Sequence, residues 1–184
     1  MKFLFAYSLL IIGLCSTAQK RGFQSTRELA QAINSRYADS SEKIFQAYKW
    51  VTTNIRYDAT DALAVNHGLG KRAVIDVAFY KRKGVCENFA AIFSDVCRQM
   101  GFESVVVEGL TRQHSNIDRQ GHSWVALKSG NEWFLFDPTW DMGLRDNFKY
   151  FKQSGNAFID THFPFDPIWQ IRKDIVRYPD FVKR

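Results

Sequence analysis

Residues 84–101, Gly84-Val85-Cys86-Glu87-Asn88-Phe89-Ala90-Ala91-Ile92-Phe93-Ser94-Asp95-Val96-Cys97-Arg98-Gln99-Met100-Gly101, decide how the rest of the chain is read. Phe89, Ala90, Phe93, Val96, Cys97 and Met100 recur at helical spacing and form one continuous apolar face, and Gly101 supplies the stop. The helix begins at or beside Cys86. Cys86 and Cys97 are 11 residues apart, about three turns, and so share a face roughly 16 Å apart along the axis. A disulfide needs Cα atoms within about 7 Å, so an intact helix excludes a bond between them. Cys97, among apolar neighbours, reads as a core thiol. Cys86 sits where the positive end of the helix dipole and unpaired N–H groups favour a thiolate, the nucleophilic form of the side chain. Lys81, Arg82 and Lys83 just upstream read as a solvated loop.

Three strands follow, over residues 103–109, 122–127 and 132–137, with Ser129-Gly130 as a two-residue turn between the last two. That register sets His122 directly opposite Asp137 at the end of the hairpin farthest from its turn. Opposed residues share a face with Cβ atoms about 5 Å apart, and a carboxylate beside an imidazole fixes its tautomer and stabilises its cation. If the helix start packs against that end, Cys86, His122 and Asp137 form a nucleophile–base–orienter set. Trp124 shares the face of His122; a wall of the cleft is the alternative for it and for Trp140, but both read first as core. His67, His114 and His162 have no ligand spacing and read as surface or packing residues, so neither a metal nor another cofactor is expected.

Upstream, Ser25 and Glu28 form a capping box for a helix running to about Arg36, and Asp39 with Glu42 starts a second. Ile44, Tyr48, Val51 and Ile55 make one face of the latter. Residues 58–72 read as a loop and Ala73 to Tyr80 as a short helix. After Asp137 the chain turns aromatic and irregular, with Pro138, Pro164, Pro167 and Pro179. Helices first and strands later indicate an α+β fold, a central helix packed on an antiparallel sheet.

The 184 residues are 46% hydrophobic, 15% aromatic and 24% charged, which excludes wholesale disorder, and three cysteines exclude a disulfide-built mini-fold. A net charge of +6 spread along the chain does not imply a nucleic-acid partner. Residues 1–18 read as a secretory signal: Lys2, the 12-residue apolar run Phe3 to Leu14, then Ser16-Thr17-Ala18. Cleavage is expected between Ala18 and Gln19. A lipid anchor on Cys15 is the weaker alternative, because Leu14 stands where a small residue is wanted. Residues 19–184 then read as one exported domain, secreted or periplasmic, with no integral membrane segment after signal removal.

Three segments also resemble a known family. Gly84-Val85-Cys86-Glu87-Asn88-Phe89-Ala90, Gly121-His122-Ser123-Trp124-Val125 and Trp133-Phe134-Leu135-Phe136-Asp137-Pro138-Thr139-Trp140 are similar to the core motifs of the transglutaminase-like superfamily, in the same order. Trp50-Val51 with Asn54-Ile55-Arg56-Tyr57-Asp58 resembles the helix that precedes that core, and Thr161-His162-Phe163-Pro164 carries a weaker likeness. The resemblance implies a papain-like α+β fold and acyl transfer, with Cys86 as nucleophile, His122 as general base then acid, and Asp137 as orienter. It implies a peptide or protein substrate and, for crosslinking, an amine acceptor. Some relatives need calcium, but no acidic loop here supports such a site. Two other readings stay open: an acyltransferase like the arylamine N-acetyltransferases, of whose cysteine motif Lys83 to Asn88 is a partial echo, and a non-catalytic module binding peptide or cell-wall strands.

Overall fold

The computed structural model describes residues 22–60, 67–113 and 116–183. The signal and anchor readings of residues 1–18, and His114, lie outside them. Ser25 Oγ accepts from the Glu28 N–H to open α1 (Thr26–Arg36), and Asp39 Oδ1 accepts from the Glu42 N–H to open α2 (Ser40–Asn54). A two-residue strand β1 (Arg56–Tyr57) lies parallel to β2 (Lys83–Gly84). Between them, α3 (Lys71–Lys81) starts two residues before the expected Ala73. Gly70 is its N-cap and offers no side chain to mark the start. Arg82 does not join a solvated loop: it is half-buried in left-handed backbone, its guanidinium over the Phe79 and Trp50 rings.

The central helix α4 (Cys86–Gln99) begins on the cysteine. Asn88 Oδ1 accepts from the Val85 N–H at 2.9 Å, closing the first turn. Gly101 at φ +96° ends it with the paired bonds Phe102 N–H to Cys97 O and Gly101 N–H to Arg98 O, both 3.0 Å, a Schellman stop. The Asp95 carboxylate ties three helices together, accepting from Thr26 of α1, Arg72 of α3 and Gln99 of α4. The other face of α4 packs on an antiparallel sheet in the order β5-β4-β3-β6, formed by β3 (Ser104–Gln113), β4 (Asn116–Ser129), β5 (Glu132–Phe136) and β6 (His162–Pro164). The α+β architecture is the expected one.

The hairpin register differs from the expected one. Ser129 pairs with Glu132, and Val125 with Phe136. Gly130 (φ +63°) is the first central residue of the turn, and Asn131 keeps negative φ. This is the type II′ pattern, with glycine at the first central position, and it suits the strand twist. The shift is two residues. A shift of one would have turned His122 to the other face, whereas two preserve it, so His122 and Asp137 remain neighbours along a diagonal. The remaining chain adds α5 (Gly155–Phe158), a 3-10 turn (Pro167–Gln170) and α6 (Tyr178–Lys183).

Tyr48 carries α2 into the site. Its ring is buried against Phe93, Phe136, Phe148 and Phe151, and its hydroxyl lies 2.7 Å from both the Asp137 carbonyl and Asp141 Oδ2. Tyr48→Phe is expected to cost about 1–3 kcal/mol, because the ring stays packed while two buried acceptors lose the one hydroxyl proton they share. Denaturant midpoints would check this, and an unchanged midpoint would contradict it.

Candidate active site

Cys86 is half-exposed at the first position of α4, and Cys97 is buried in the core; both are free thiols. His122 comes from β4, immediately after Gly121 at φ +85°, where the β3–β4 register slips between Gly109 and Thr111. Asp137 follows the last residue of β5. Among the described residues, helix start and sheet end meet. His122 Nε2 lies 2.7 Å from Asp137 Oδ2, and the Cys86 thiol is within hydrogen-bonding reach of the same ring. Because Nε2 is taken by Asp137, the nitrogen left for Cys86 is Nδ1. A carboxylate only accepts, so Nε2 carries hydrogen.

Asp137 is fully buried, at 0% exposure, so its partners decide its charge. Oδ1 accepts from the N–H groups of Thr139 (2.8 Å) and Trp140 (3.2 Å), and its own N–H donates to the Tyr150 carbonyl. The residue therefore both caps the turn over Pro138 and holds an imidazole. Burial alone would raise its pKa; the His122 cation and hydrogen bonds from two imidazoles hold it well below the usual carboxylate range. Burial likewise works against charge on His122, but the Asp137 carboxylate and then the Cys86 sulfur outweigh it and push its pKa up to about 10.

The second imidazole is His162, which belongs to this site rather than to surface or general packing. It is 1% exposed, on β6, with Nε2 3.1 Å from Asp137 Oδ2. A lone histidine in an irregular tail has no periodicity or ligand spacing to mark it; only the likeness at Thr161 to Pro164 pointed there. Donor atoms of His122, Asp137 and His162 lie within 4.8 Å of one another, a spacing a metal could use. Two N–H groups converging on one carboxylate oxygen account for the same spacing.

Trp140 and Tyr57 flank the opening. A cavity of about 480 Å³ is lined by Tyr57, Thr111, Gln113, Asp118, His122 and Trp140 among others. A second, of about 510 Å³, shares Tyr57 and carries Arg56, Asp58, Lys81 and Lys83, with Lys83 Nζ 2.9 Å from Asp58 Oδ2. The β1–β2 pairing sets Tyr57 opposite Gly84, two residues before Cys86. Burial and then the nearby Cys86 and Asp118 raise the Tyr57 phenol. Trp124 is entirely buried and belongs to the core, and His67 is exposed.

A helix that opens on a cysteine and docks on an antiparallel sheet bearing histidine and aspartate defines the papain-like class of α+β folds. The family model of the transglutaminase-like superfamily matches residues 27–138, more than half of the chain, and the chain belongs to that superfamily. It is similar to the kyphoscoliosis peptidase of Mus musculus (28% identical over 148 residues) and of Homo sapiens (27%), in each case over 72% of this chain and 22% of the relative. The chain thus spans about a fifth of the length of these curated relatives. Two solved structures share the fold. One is the periplasmic domain of TgpA from Pseudomonas aeruginosa, bound to ethylmercury (TM-score 0.53, 20% identity, 64% of this chain and 44% of that one). The other is a candidate cysteine protease from Cytophaga hutchinsonii (TM-score 0.51, 21% identity, 64% and 38%). Among the described residues no helix is long and apolar enough to cross a membrane.

Proposed function

We propose that this protein is an exported cysteine enzyme that opens peptide or protein amides through a thioester on Cys86. The observation that carries the reading is the His122 ring, held by Asp137 through Nε2 at 2.7 Å, with the Cys86 sulfur near enough to raise its pKa. The Cys86 sulfur attacks the amide carbonyl and a C–S bond forms. Negative charge moves to the carbonyl oxygen, which the Cys86 N–H meets at the first turn of α4, where helix N–H groups have no intrahelical partner. Collapse breaks the C–N bond as Nδ1–H of His122 protonates the departing amine. Water, giving its proton back to Nδ1, then attacks the thioester and releases a carboxylic acid. An amine in place of water gives a new amide. The name of the curated relatives favours water. The apolar run at residues 3–14 supports export, in keeping with the periplasmic location of one structural neighbour.

The test is mass spectrometry of a peptide library incubated with the protein, with and without added amine. Cleaved or deamidated peptides are expected without amine and amine adducts with it, all absent from Cys86→Ala. At pH 6 a free thiol is roughly 0.3% thiolate. Cys86 paired with a cationic imidazole is expected to react with iodoacetamide at least about tenfold faster than glutathione. Peptide products that persist in Cys86→Ala, or reactivity no greater than that of glutathione, would overturn the proposal. An acetyl group left on Cys86 by acetyl-CoA would redirect it to the acetyltransferase reading.

A further inference from the structure

We propose that His162 is a positioning residue of this site: its Nε2–H fixes the Asp137 carboxylate, which in turn fixes His122. The inference rests on the functional reading above and deepens it. A carboxylate offers about four acceptor positions, and in Asp137 all four are used: two backbone N–H groups on Oδ1, and His122 and His162 on Oδ2. The group can neither rotate nor take another partner. Without His162, one lone pair of a fully buried anion would be unanswered.

The tautomer of His162 follows from its neighbours. Asp137 can only accept, so the Nε2 facing it carries hydrogen. Nδ1 lies 2.8 Å from Thr161 Oγ1 and, on a neutral ring, accepts from that hydroxyl. The Phe158 carbonyl, 3.4 Å from the same oxygen, is a poorer acceptor for its single proton. The ring is stacked on Phe158 at 3.9 Å, with Trp140 at 4.5 Å, the Trp124 edge at 5.1 Å and Tyr150 at 5.5 Å. Charge is unwelcome in such a cage, and more so with the His122 cation on the same oxygen. Burial and that cation together bring the His162 pKa down to about 4 despite Asp137. His162 therefore donates without becoming a second cation. It lowers the proton affinity of Asp137, so the proton stays on His122, and it does not compete for the ion pair.

The backbone is arranged to deliver this one ring. β6 is three residues long and pairs Thr111 with His162, Leu110 with Phe163 and Gly109 with Pro164. Arg112 N–H to Thr161 O (2.8 Å) and Phe165 N–H to Glu108 O (2.9 Å) secure its two ends.

Two measurements on the full chain test the proposal. Ring ¹⁵N–¹H NMR of the wild type is expected to show, at pH 6, His162 neutral with hydrogen on Nε2 and His122 protonated on both nitrogens. A doubly protonated His162, or hydrogen on Nδ1 alone, would overturn it. The second measurement is the pH dependence of Cys86 alkylation by iodoacetamide. His162→Phe fills the ring's place but donates nothing. It is expected to slow the reaction at pH 6 at least about tenfold and to move the acid limb up by about one pH unit. His162→Gln restores an N–H donor and is expected to recover most of the loss. A His162→Phe profile that overlays the wild type sinks the proposal while leaving the functional reading intact. A wild-type Cys86 no faster than glutathione sinks the functional reading, and the NMR result still decides the role of His162 as donor to Asp137.

Discussion

Asp137→Asn is expected to slow turnover by on the order of 10³- to 10⁴-fold, the range for the same change in a serine triad, with the fold retained. The asparagine oxygen can still accept from Thr139 and Trp140 N–H, so the turn over Pro138 survives. Its amide NH₂ then faces Nε2–H of both imidazoles, donor against donor. His122 escapes the clash by moving its proton to Nδ1, which leaves no base toward Cys86. The anion that held the ring's charge against burial is also gone. Alkylation of Cys86 should show the same loss, with its acid limb moved toward neutrality. A variant with near-wild-type rates would remove Asp137 from any chemical role.

The same charges set how stability follows pH. The His122 pKa, raised from an ordinary 6.5 to about 10, makes a contribution that is complete below about 6.5 and is lost as pH climbs through about 10. The His162 pKa, lowered to about 4, does the reverse: stability is lost as pH falls from about 6.5 through about 4. Thermal midpoints should therefore decline on both sides of neutrality, and Asp137→Asn should flatten the alkaline decline. An alkaline limb as steep as that of the wild type would show that another group causes it.

The features legible in the sequence are those with a repeating or local signal. α4 announced itself through six apolar positions on one face and a glycine stop, and Cys86 at its start came with it. The hairpin was legible as a pair of strands. Its register was not, because Ser129-Gly130 and Gly130-Asn131 both look like two-residue turns and nothing local selects between them. The candidate site tolerated that error because a two-residue slip keeps the face. α3 lost its first two residues to a glycine cap, which leaves no polar marker. β6 and His162, marked only by the weak likeness at Thr161 to Pro164, lacked a physical signal for a different reason. Three residues carry no alternation, and their place beside β3 is set by tertiary pairing with Gly109, Leu110 and Thr111.

That pairing makes Gly109 the residue on which the far side of the site turns, and Gly109→Ala is expected to cost about 3 kcal/mol or more, at the upper end of overpacking effects. Gly109 pairs with His122 on one side and Pro164 on the other. A Cβ there would lie 2.2 Å from the Phe163 carbonyl oxygen, 2.5 Å from the Trp124 ring and 2.8 Å from Pro164 Cα. Two of the three are backbone, and Trp124 is fully buried, so no side-chain rotation relieves the contact. Either β6 leaves the sheet edge or Trp124 is driven into Phe158 and His162. Both movements take His162 from Asp137. At about 2–4 °C per kcal/mol in a domain of this size, the thermal midpoint should fall by roughly 6–12 °C. The loss should also be coupled to His162: the tenfold effect of His162→Phe on Cys86 alkylation should shrink to under about threefold in the Gly109→Ala background, because the contact it removes is already broken. A full-strength midpoint, or two effects that simply multiply, would mean that the strand pairing and the imidazole act independently.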